Sequence, residues 1–434
     1  MPGQRIAVVG SGIAGLSAAW LLNTRHDVTV FEADSRIGGH SNTQMVGAHP
    51  VDTGFIVYNE ATYPNLTALF AHLGVATRAT DMGFAVSLDD GRLEYAGGDL
   101  NGLFAQRGNI VSPRFWSMLA DLVRFYRRAP RDLAQLGDIT LGAYLDRLGA
   151  GAAFREDHLY PMAAAIWSTP AAMIADAPAG AFIRFCENHG LLKLGTRPLW
   201  RTVEGGSRTY VEALSGPLRS RIHTACAVRA IRRYDTGVAI STDRGTDHFD
   251  AVVIAAHADA ALAMLADADA DEARVLGAFG YRRNRAVLHC DPAPMPRRRR
   301  VWSAWNYAAQ GTAAADVSVT YWMNRLQTWL PEDAPLFVSL NPIVEPDPAR
   351  VYGEFSYDHP VFDRAAERAQ AEIWHLSGRR RTWFSGAHLG AGFHEDGLQS
   401  GLAVAEALGG VRRPWQVAGE SGRILLPAPM RAAA

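Results

Sequence analysis

The chain has 434 residues, 48% of them hydrophobic, and a formal net charge of −1. This length predicts two domains, or one domain with a large insertion, and the balanced charge argues against a nucleic-acid partner. Cys186, Cys226 and Cys290 form no C-x-x-C pair, which argues against a metal knuckle or a redox dithiol and fits a reducing compartment. No charged-then-apolar leader precedes the first strand, and no apolar run approaches the ~18 residues of a membrane span. We therefore expect a cytoplasmic protein that is at most peripheral to the inner membrane.

The first forty residues place a glycine turn between a strand and a helix. Residues 5–9 are an apolar run that leads into Gly10-Ser11-Gly12-Ile13-Ala14-Gly15, and residues 16–22 have a helical pattern. In a dinucleotide-binding unit the first glycine permits the tight turn, the second lets the backbone approach a pyrophosphate, and the third lets the helix pack on the strand. A second strand, 27–31, ends at Glu32, the position of an acid that binds ribose hydroxyls. This order predicts a dinucleotide site.

A second pair of glycines follows this acid. The segment Ala33-Asp34-Ser35-Arg36-Ile37-Gly38-Gly39-His40 suggests another close approach of the backbone, and Asp52-Thr53-Gly54 comes soon after it. Together with the first turn, these motifs resemble the FAD-binding flavoproteins of the glutathione-reductase-like superfamily, within it the amine-oxidase and phytoene-desaturase branch. The resemblance implies that Arg36 and the glycine pair contact the FAD diphosphate and approach the flavin.

The next segments have the pattern of packing elements. Residues 63–74 read as a helix with Pro in its first turn and Gly at its end, and residues 84–95 read as a hairpin with an Asp-Gly-type turn. The aromatic helix at 115–126 is either core or the lining of an apolar substrate channel. Residues 160–170 are uncharged and include Trp167. We expect a buried helix there, ending close to the active site.

The middle of the chain resembles the same branch. Arg197 to Arg208 contains a glycine pair, as in the segment where these flavoproteins re-enter the FAD domain, although Val203 stands where their pattern has Pro. Asp250 to His257 reads as a fully buried strand that resembles the family's return strand, and Val228 matches its adenine-side valine. Beyond it, residues 317–322 and 337–341 read as strands.

Four consecutive arginines, Arg297–Arg300, lie beside Trp302 and Trp305. Such a group can meet lipid phosphates. It can equally be a solvated face.

Near the end of the chain, residues 381–387 read as a strand that runs into glycine, and residues 392–401 lead into a helix that ends near Leu408. This resembles the C-terminal flavin motif of the superfamily, in which an acid holds the diphosphate and ribityl chain and the helix N-terminus faces the flavin. The acids Glu395 and Asp396 can alternatively cap that helix. Residues 413–434 read as a loose C-terminal tail.

The resemblance implies FAD as the cofactor. Because the C-terminal motif has no cysteine, a cysteinyl link is excluded there, and we expect non-covalent binding unless His40 forms the link. The residues expected to bind it are Gly10, Gly12, Ile13, Ala14, Gly15, Glu32, Ala33, Arg36, Gly38, Gly39, His40, Thr53, Gly54, Val228, Ala255, Gly386, Phe393, His394, Asp396, Gly397 and Leu398. His394, His40 and Trp167 are the catalytic candidates. His40 could touch the flavin, bond to it covalently, or be a loop histidine, and no metal site is expected.

The expected fold is α/β, a glutathione-reductase-like FAD-binding Rossmann domain with an inserted α+β substrate domain. The FAD domain would comprise 1–80, 200–260 and 376–412, and the substrate domain 81–199 and 261–375.

Four segments, residues 38–43, 164–170, 197–208 and 392–401, together resemble bacterial amine-oxidase-like proteins that include a flavin-dependent desaturase of methylated and furan fatty acid synthesis. The resemblance implies dehydrogenation of a hydrophobic acyl chain, free or in a phospholipid. A small-amine oxidase and a flavoprotein without substrate chemistry of its own remain the alternatives. Amine oxidases of this superfamily often carry a lysine near the flavin, and Lys193, the one lysine in the chain, falls in no segment that matches that role.

Overall fold

A computed structural model describes residues 3–167, 174–188, 190–193, 198–310 and 318–427, with the backbone alone at 165–167 and 188. The strands in chain order are β1 (Arg5–Val9), β2 (Asp27–Phe31), β3 (Thr43–Val46), β4 (His49–Asp52), β5 (Tyr58–Asn59), β6 (Thr77–Thr80), β7 (Phe84–Leu88), β8 (Leu93–Ala96), β9 (Trp200–Val203), β10 (Ile222–His223), β11 (Val228–Tyr234), β12 (Gly237–Thr242), β13 (Gly245–Phe249), β14 (Ala251–Ile254), β15 (Gly280–His289), β16 (Trp305–Ala309), β17 (Ser318–Trp322), β18 (Phe337–Leu340), β19 (Val351–Val361) and β20 (Thr382–Phe384). The helices are α1 (Ile13–Leu22), α2 (Pro64–Leu73), α3 (Leu100–Leu103), α4 (Pro113–Asp132), α5 (Leu141–Leu148), α6 (Ala152–Phe154), α7 (Tyr160–Trp167), α8 (Ala179–Asn188), α9 (Arg208–Ser215), α10 (Ala258–Met264), α11 (Ala270–Leu276), α12 (Met323–Leu326), α13 (Arg364–Leu376) and α14 (His394–Gly409).

A five-stranded parallel sheet in the order β10-β2-β1-β14-β20 organises the nucleotide-binding half. Its central strands pair in register, with Val8 opposite Val30 on one side and Val253 on the other. These strands are continuous apolar runs because helices cover both faces of such a sheet. Helices α1 and α14 pack on it, and their small residues permit close contact. The expected α/β fold is therefore confirmed.

A seven-stranded sheet in the order β19-β15-β18-β17-β16-β7-β8 forms the second half of the molecule. All its pairs are antiparallel except β7 with β16. The predicted hairpin is β7–β8, and the predicted helix at 63–74 is α2, which ends at Gly74 with φ 66°. A separate core of aromatic and aliphatic side chains joins this sheet to α4, α5 and α8.

Three expected boundaries are wrong. Residues 261–279 and 364–376 were assigned to the substrate domain, but Leu265, Val275 and Ile373 are buried in the core around the parallel sheet. These segments carry apolar side chains that pack into this first core. Residues 413–427 are not a loose tail either, because Ile424 and Leu426 are buried in that same core.

Among the described residues, no helix is long and apolar enough to cross a membrane.

Candidate cofactor site and active site

The first glycine turn leaves an uncapped helix N-terminus beside open space. Gly10 has φ 101°, and helix α1 begins after Gly12, which makes no side-chain cap. A Cβ on Gly15 would lie 1.9 Å from the Gly10 carbonyl oxygen, so only glycine fits there. A Cβ on Gly12 would meet no atom within 4 Å. The first backbone N–H groups and positive dipole end of α1 therefore suit a phosphate anion.

The second glycine pair folds back onto this turn. Gly38 donates its N–H to the Ser11 carbonyl oxygen at 3.0 Å, and a Cβ on Gly39 would lie 3.0 Å from the Gly12 Cα. Both glycines have positive φ, 110° and 57°. The two loops thus lie against each other at the open space beside Gly12, which we call the groove, and the second loop also carries the half-exposed Arg36.

Glu32 stands at the end of β2 with its carboxylate oriented by neighbours. Oε2 accepts from the Ser11 N–H at 2.8 Å and from its hydroxyl at 2.6 Å, and Oε1 accepts from the Asp34 N–H at 2.8 Å. The Cys226 N–H donates to the Glu32 carbonyl at 2.8 Å, which brings the chain leading to Val228 alongside. This is the arrangement expected for ribose and adenine contacts.

A second helix N-terminus lies next to the first. A Cβ on Gly397 of α14 would come 2.9 Å from Ile13 Cγ2, and a Cβ on Gly401 would come 2.2 Å from the Ala14 carbonyl oxygen. Helix α14 therefore packs directly along α1, and both helices start at the same end. Leu398 is fully buried, and its side chain packs in the core. The contact with the cofactor that we expect for Leu398 would therefore be made by its backbone.

The acids at the start of α14 are occupied by protein groups. The Glu395 carboxylate accepts from the Asn65 and Leu66 N–H groups at 3.0 and 2.9 Å, so it caps α2, and burial raises the pKa of this carboxyl. Asp396 accepts from Arg423 Nε at 2.6 Å and from the Phe393 N–H at 2.7 Å. These contacts fit helix capping, the alternative that the sequence left open, and cofactor binding by Asp396 stays a prediction.

His394 is held in a neutral, hydrogen-bonded position. Its ring stacks on Phe55 with centroids 3.8 Å apart, and Nε2 lies 2.6 Å from the Tyr210 hydroxyl and 3.3 Å from that of Ser41. Burial lowers the pKa of His394 to about 3. The imidazole is therefore uncharged at neutral pH.

His40 belongs to a histidine cluster formed by His40, His257 and His359. Its ring centroid lies 5.8 Å from that of His359, 6.2 Å from that of His257 and 5.2 Å from that of Tyr357. Burial, followed by the neighbouring histidines, lowers the pKa of His40 to about 3. Sequence reasoning missed His257 and His359; the position of His257 directly after the buried return strand was the available signal.

Most of the remaining predicted positions contact other parts of the protein. The Ala255 N–H donates to Val9 at 2.8 Å, and a Cβ on Gly54 would lie 2.0 Å from the His40 carbonyl oxygen. The Thr53 hydroxyl is buried and bonded to Tyr357. Phe393 stacks on Phe185 of the second core, with centroids 4.9 Å apart. Ala33 is exposed, the Gly386 N–H is bonded to Ser400, and the Trp167 side chain lies outside the described residues.

Asp52 links the loop beside the groove to the second half of the molecule through hydrogen bonds. Its buried carboxylate accepts from the Thr43 hydroxyl at 2.6 Å, the Ser207 hydroxyl at 2.7 Å and Gln327 Nε2 at 2.7 Å. Burial raises the pKa of Asp52 to about 6 despite these donors. The loop carrying Gly54 and Phe55 is fixed by this network.

Comparison with known proteins identifies the family. Residues 13–294 match the model of the flavin-containing amine oxidoreductases. The chain belongs to this family. Its cofactor is accordingly FAD, and the open space at Gly12, the two helix N-termini and the oriented Glu32 fit that group. Among the described residues, no three His, Cys, Asp or Glu side chains are arranged to hold a metal ion.

This amine oxidoreductase family member has both sequence and structural relatives. It is 24% identical over 358 residues to a putative flavin-containing monoamine oxidase AofH of Mycobacterium tuberculosis, covering 77% of this chain and 70% of the relative. Cyclohexylamine oxidase from Brevibacterium oxydans superposes with a TM-score of 0.67 at 16% identity, covering 94% and 99% of the two chains. A CLA-producing fatty acid isomerase from P. acnes superposes with a TM-score of 0.65 at 15% identity, covering 94% and 98%. These superpositions establish a shared fold.

We expect the free energy of unfolding of this flavoprotein to fall as the pH falls from about 6.5 to about 4. A histidine whose folded pKa lies below its unfolded value of 6.5 binds its proton in the unfolded state first, so stability is present above that value and is lost below it. Each such proton contributes a slope of about 1.4 kcal/mol per pH unit. Burial lowers the pKa of six histidines, which are His40, His257, His289, His359, His388 and His394.

Burial acts in the opposite direction on Asp52 and Glu395, whose raised pKa values favour the folded state at low pH, but the histidines outnumber them. Urea unfolding at several pH values measures the slope, and the buried His388→Gln variant should lower it by about one proton. The exposed His375→Gln variant is the control. A stability that does not change over this range would contradict the burial of neutral histidines.

Proposed function

We propose that this chain is an FAD-dependent dehydrogenase of a hydrophobic acyl chain, with a methyl-branched unsaturated acyl group of a phospholipid as the substrate. The observation that carries the proposal is the absence of lysine from the described site. Lys193, the one lysine in the sequence, is exposed, and among the described residues it forms no hydrogen bond or ion pair with the glycine loops or the start of α14. The groove instead meets the second core through aromatic rings, Phe393 stacked on Phe185. These surroundings favour an apolar substrate over a charged amine.

The oxidation removes two hydrogens from adjacent carbons of the acyl chain or across its allylic system. FAD held by the glycine loops and the start of α14 would supply the acceptor for one of them as hydride. The other leaves as a proton, and we assign its acceptance to His40. The neutral imidazole has the lone pair that proton acceptance requires, and His40 directly follows the glycine pair in the chain. His394 is a positioning residue in this account, because its Nε2 is already bonded to Tyr210.

We expect His40→Asn to keep FAD but to slow flavin reduction by about 10²-fold or more, because one positioned proton acceptor is removed. The rate is measured by anaerobic stopped-flow absorbance with saturating substrate. His375→Asn, an exposed histidine at the end of α13, is the matched control. An unchanged reduction rate in His40→Asn would remove the residue from this role.

The second candidate is oxidation of a small amine, which the name of the mycobacterial relative supports. Anaerobic mixing of the holoenzyme with methyl-branched phospholipids, and separately with putrescine and cyclohexylamine, separates the two. Bleaching of the flavin by the lipid, with loss of two hydrogens seen by mass spectrometry, supports the dehydrogenase. Bleaching by an amine alone overturns it, and bleaching by neither favours a flavoprotein without substrate chemistry of its own.

A further inference from the structure

The chain exposes a group of large apolar side chains at one corner of the second half. Leu100 is 73% exposed, Val111 82%, Trp116 50% and Ile110 47%. They fall within 17 residues, on α3, on the turn before α4 and at the start of α4. We call these four residues the apolar corner. Exposed apolar side chains grouped in this way mark interaction sites more often than scattered ones do.

The apolar corner is built on ordered structure. The Trp116 indole N–H donates to the Ile110 carbonyl at 2.8 Å, and the Trp116 ring lies 5.7 Å from that of Phe104. Ala105, the next residue, packs with Val301 in a small buried cluster. The corner is therefore continuous with the arginine turn that precedes Val301.

A buried carboxylate accepts hydrogen bonds from the arginine turn, Arg297–Arg300. Glu94 is fully buried and accepts from the Arg297 N–H at 2.7 Å and from Arg298 Nη1 at 2.7 Å. The Trp302 indole N–H donates to the Pro296 carbonyl oxygen at 2.7 Å, which links the two ends of the turn. The backbone of this turn is thus fixed at the edge of the seven-stranded sheet, next to β8.

The last two arginines point to an anionic partner. Arg297 pairs with Asp90, and Arg298 pairs with Glu94. Arg299 lies 4.9 Å from the Trp302 ring centroid, and Arg300 is exposed. No acidic side chain in the described part of the chain forms an ion pair with either of these two.

We propose that the apolar corner and the arginine turn together dock on an anionic phospholipid bilayer. Arg299 and Arg300 meet lipid phosphates, while Leu100, Val111 and Trp116 enter the headgroup region. Juxtaposed basic and apolar groups bind such interfaces because both the electrostatic and the hydrophobic contributions are favourable. The surface would serve the proposed acyl substrate, but its binding needs no turnover and can be tested apart from it.

The test is sedimentation of the holoenzyme with phosphatidylcholine vesicles that contain about one-third phosphatidylglycerol. We expect binding that weakens with added salt, and little binding to phosphatidylcholine alone. Val111→Asp combined with Leu100→Ser should lower vesicle affinity by about ten-fold or more, and Arg299→Ser combined with Arg300→Ser by a similar factor. Each variant should keep its flavin spectrum.

Two variants on β19 and β15, the two strands farthest from β8 in the seven-stranded sheet, serve as controls. Tyr352→Ser removes a 53% exposed ring on β19, and Arg283→Ser removes an arginine on β15 that is 79% exposed. Both should bind vesicles as the unchanged protein does. The proposal is overturned if the unchanged protein does not sediment with anionic vesicles, or if the corner variants bind equally well. It is also overturned if sedimentation velocity shows that Val111→Asp abolishes a dimer while vesicles are not bound. Because these vesicles contain no methyl-branched chains, such a failure would leave the proposed dehydrogenation untouched.

Discussion

Gly12→Ala is expected to fold normally and to lose affinity for FAD by about ten-fold or more, which corresponds to about 1.4 kcal/mol. Gly12 has φ −68° and ψ 179°, a conformation that alanine adopts readily, and a Cβ there would meet no protein atom within 4 Å. The new methyl group would instead occupy the space in which the diphosphate approaches the start of α1. Affinity is measured by the quenching of FAD fluorescence on titration into apoprotein.

The matched control for this change is Gly216→Ala at the C-terminal end of α9. It also has open space around its Cβ and a compatible backbone, but it belongs to neither glycine loop. We expect unchanged FAD affinity in Gly216→Ala. Gly15→Ala should instead impair folding, because its Cβ would lie 1.9 Å from a backbone oxygen. Equal affinity in the Gly12 and Gly216 variants would show that the diphosphate lies elsewhere.

Arg423→Ala is expected to destabilise the protein by about 3–5 kcal/mol, because it leaves the buried Asp396 carboxylate without its partner. Arg423 donates to both oxygens of Asp396, at 2.6 and 3.1 Å, and its Nη1 donates to the Thr62 carbonyl at 3.0 Å. Its guanidinium also lies 5.6 Å from the Tyr63 ring centroid. Urea unfolding followed by circular dichroism measures the loss.

Asp396 also accepts a hydrogen bond from the Phe393 N–H at the start of α14. Arg423→Ala should therefore displace the start of this helix and weaken FAD binding. Arg283→Ala breaks an exposed ion pair with Asp358 and should cost less than about 1 kcal/mol. A loss in Arg423→Ala no larger than that in Arg283→Ala would mean that residues 413–427 do not anchor the helix.

The glycine loops were predictable because their constraint is local. Gly10, Gly15 and Gly38 sit where positive φ or backbone contact excludes other residues, so their spacing carries the geometry directly. The parallel strands were equally readable, since strands covered on both faces become uninterrupted apolar runs. The resemblance to flavoproteins predicted FAD as the cofactor, and the family match confirms this prediction.

The features that the sequence did not reveal are contacts between residues that lie far apart in the chain. The ion pair of Asp396 with Arg423 could not be read from the sequence, because Arg423 lies in a Pro- and Arg-rich stretch with no helical or strand pattern. His359 joins His40 only through the pairing of β15 with β19. The packing of residues 261–279 on the first core likewise rests on long-range contacts, which no local spacing encodes.

The assignment of the groove between the glycine loops and α14 to FAD is tested most directly by a crystal structure of the purified holoprotein. We expect electron density for FAD with its diphosphate against Gly12 and Gly39, its ribose on Glu32, and its flavin near the start of α14 and His40. Density for FAD at another place in the fold, with the space beside Gly12 closed by protein side chains, would contradict this assignment.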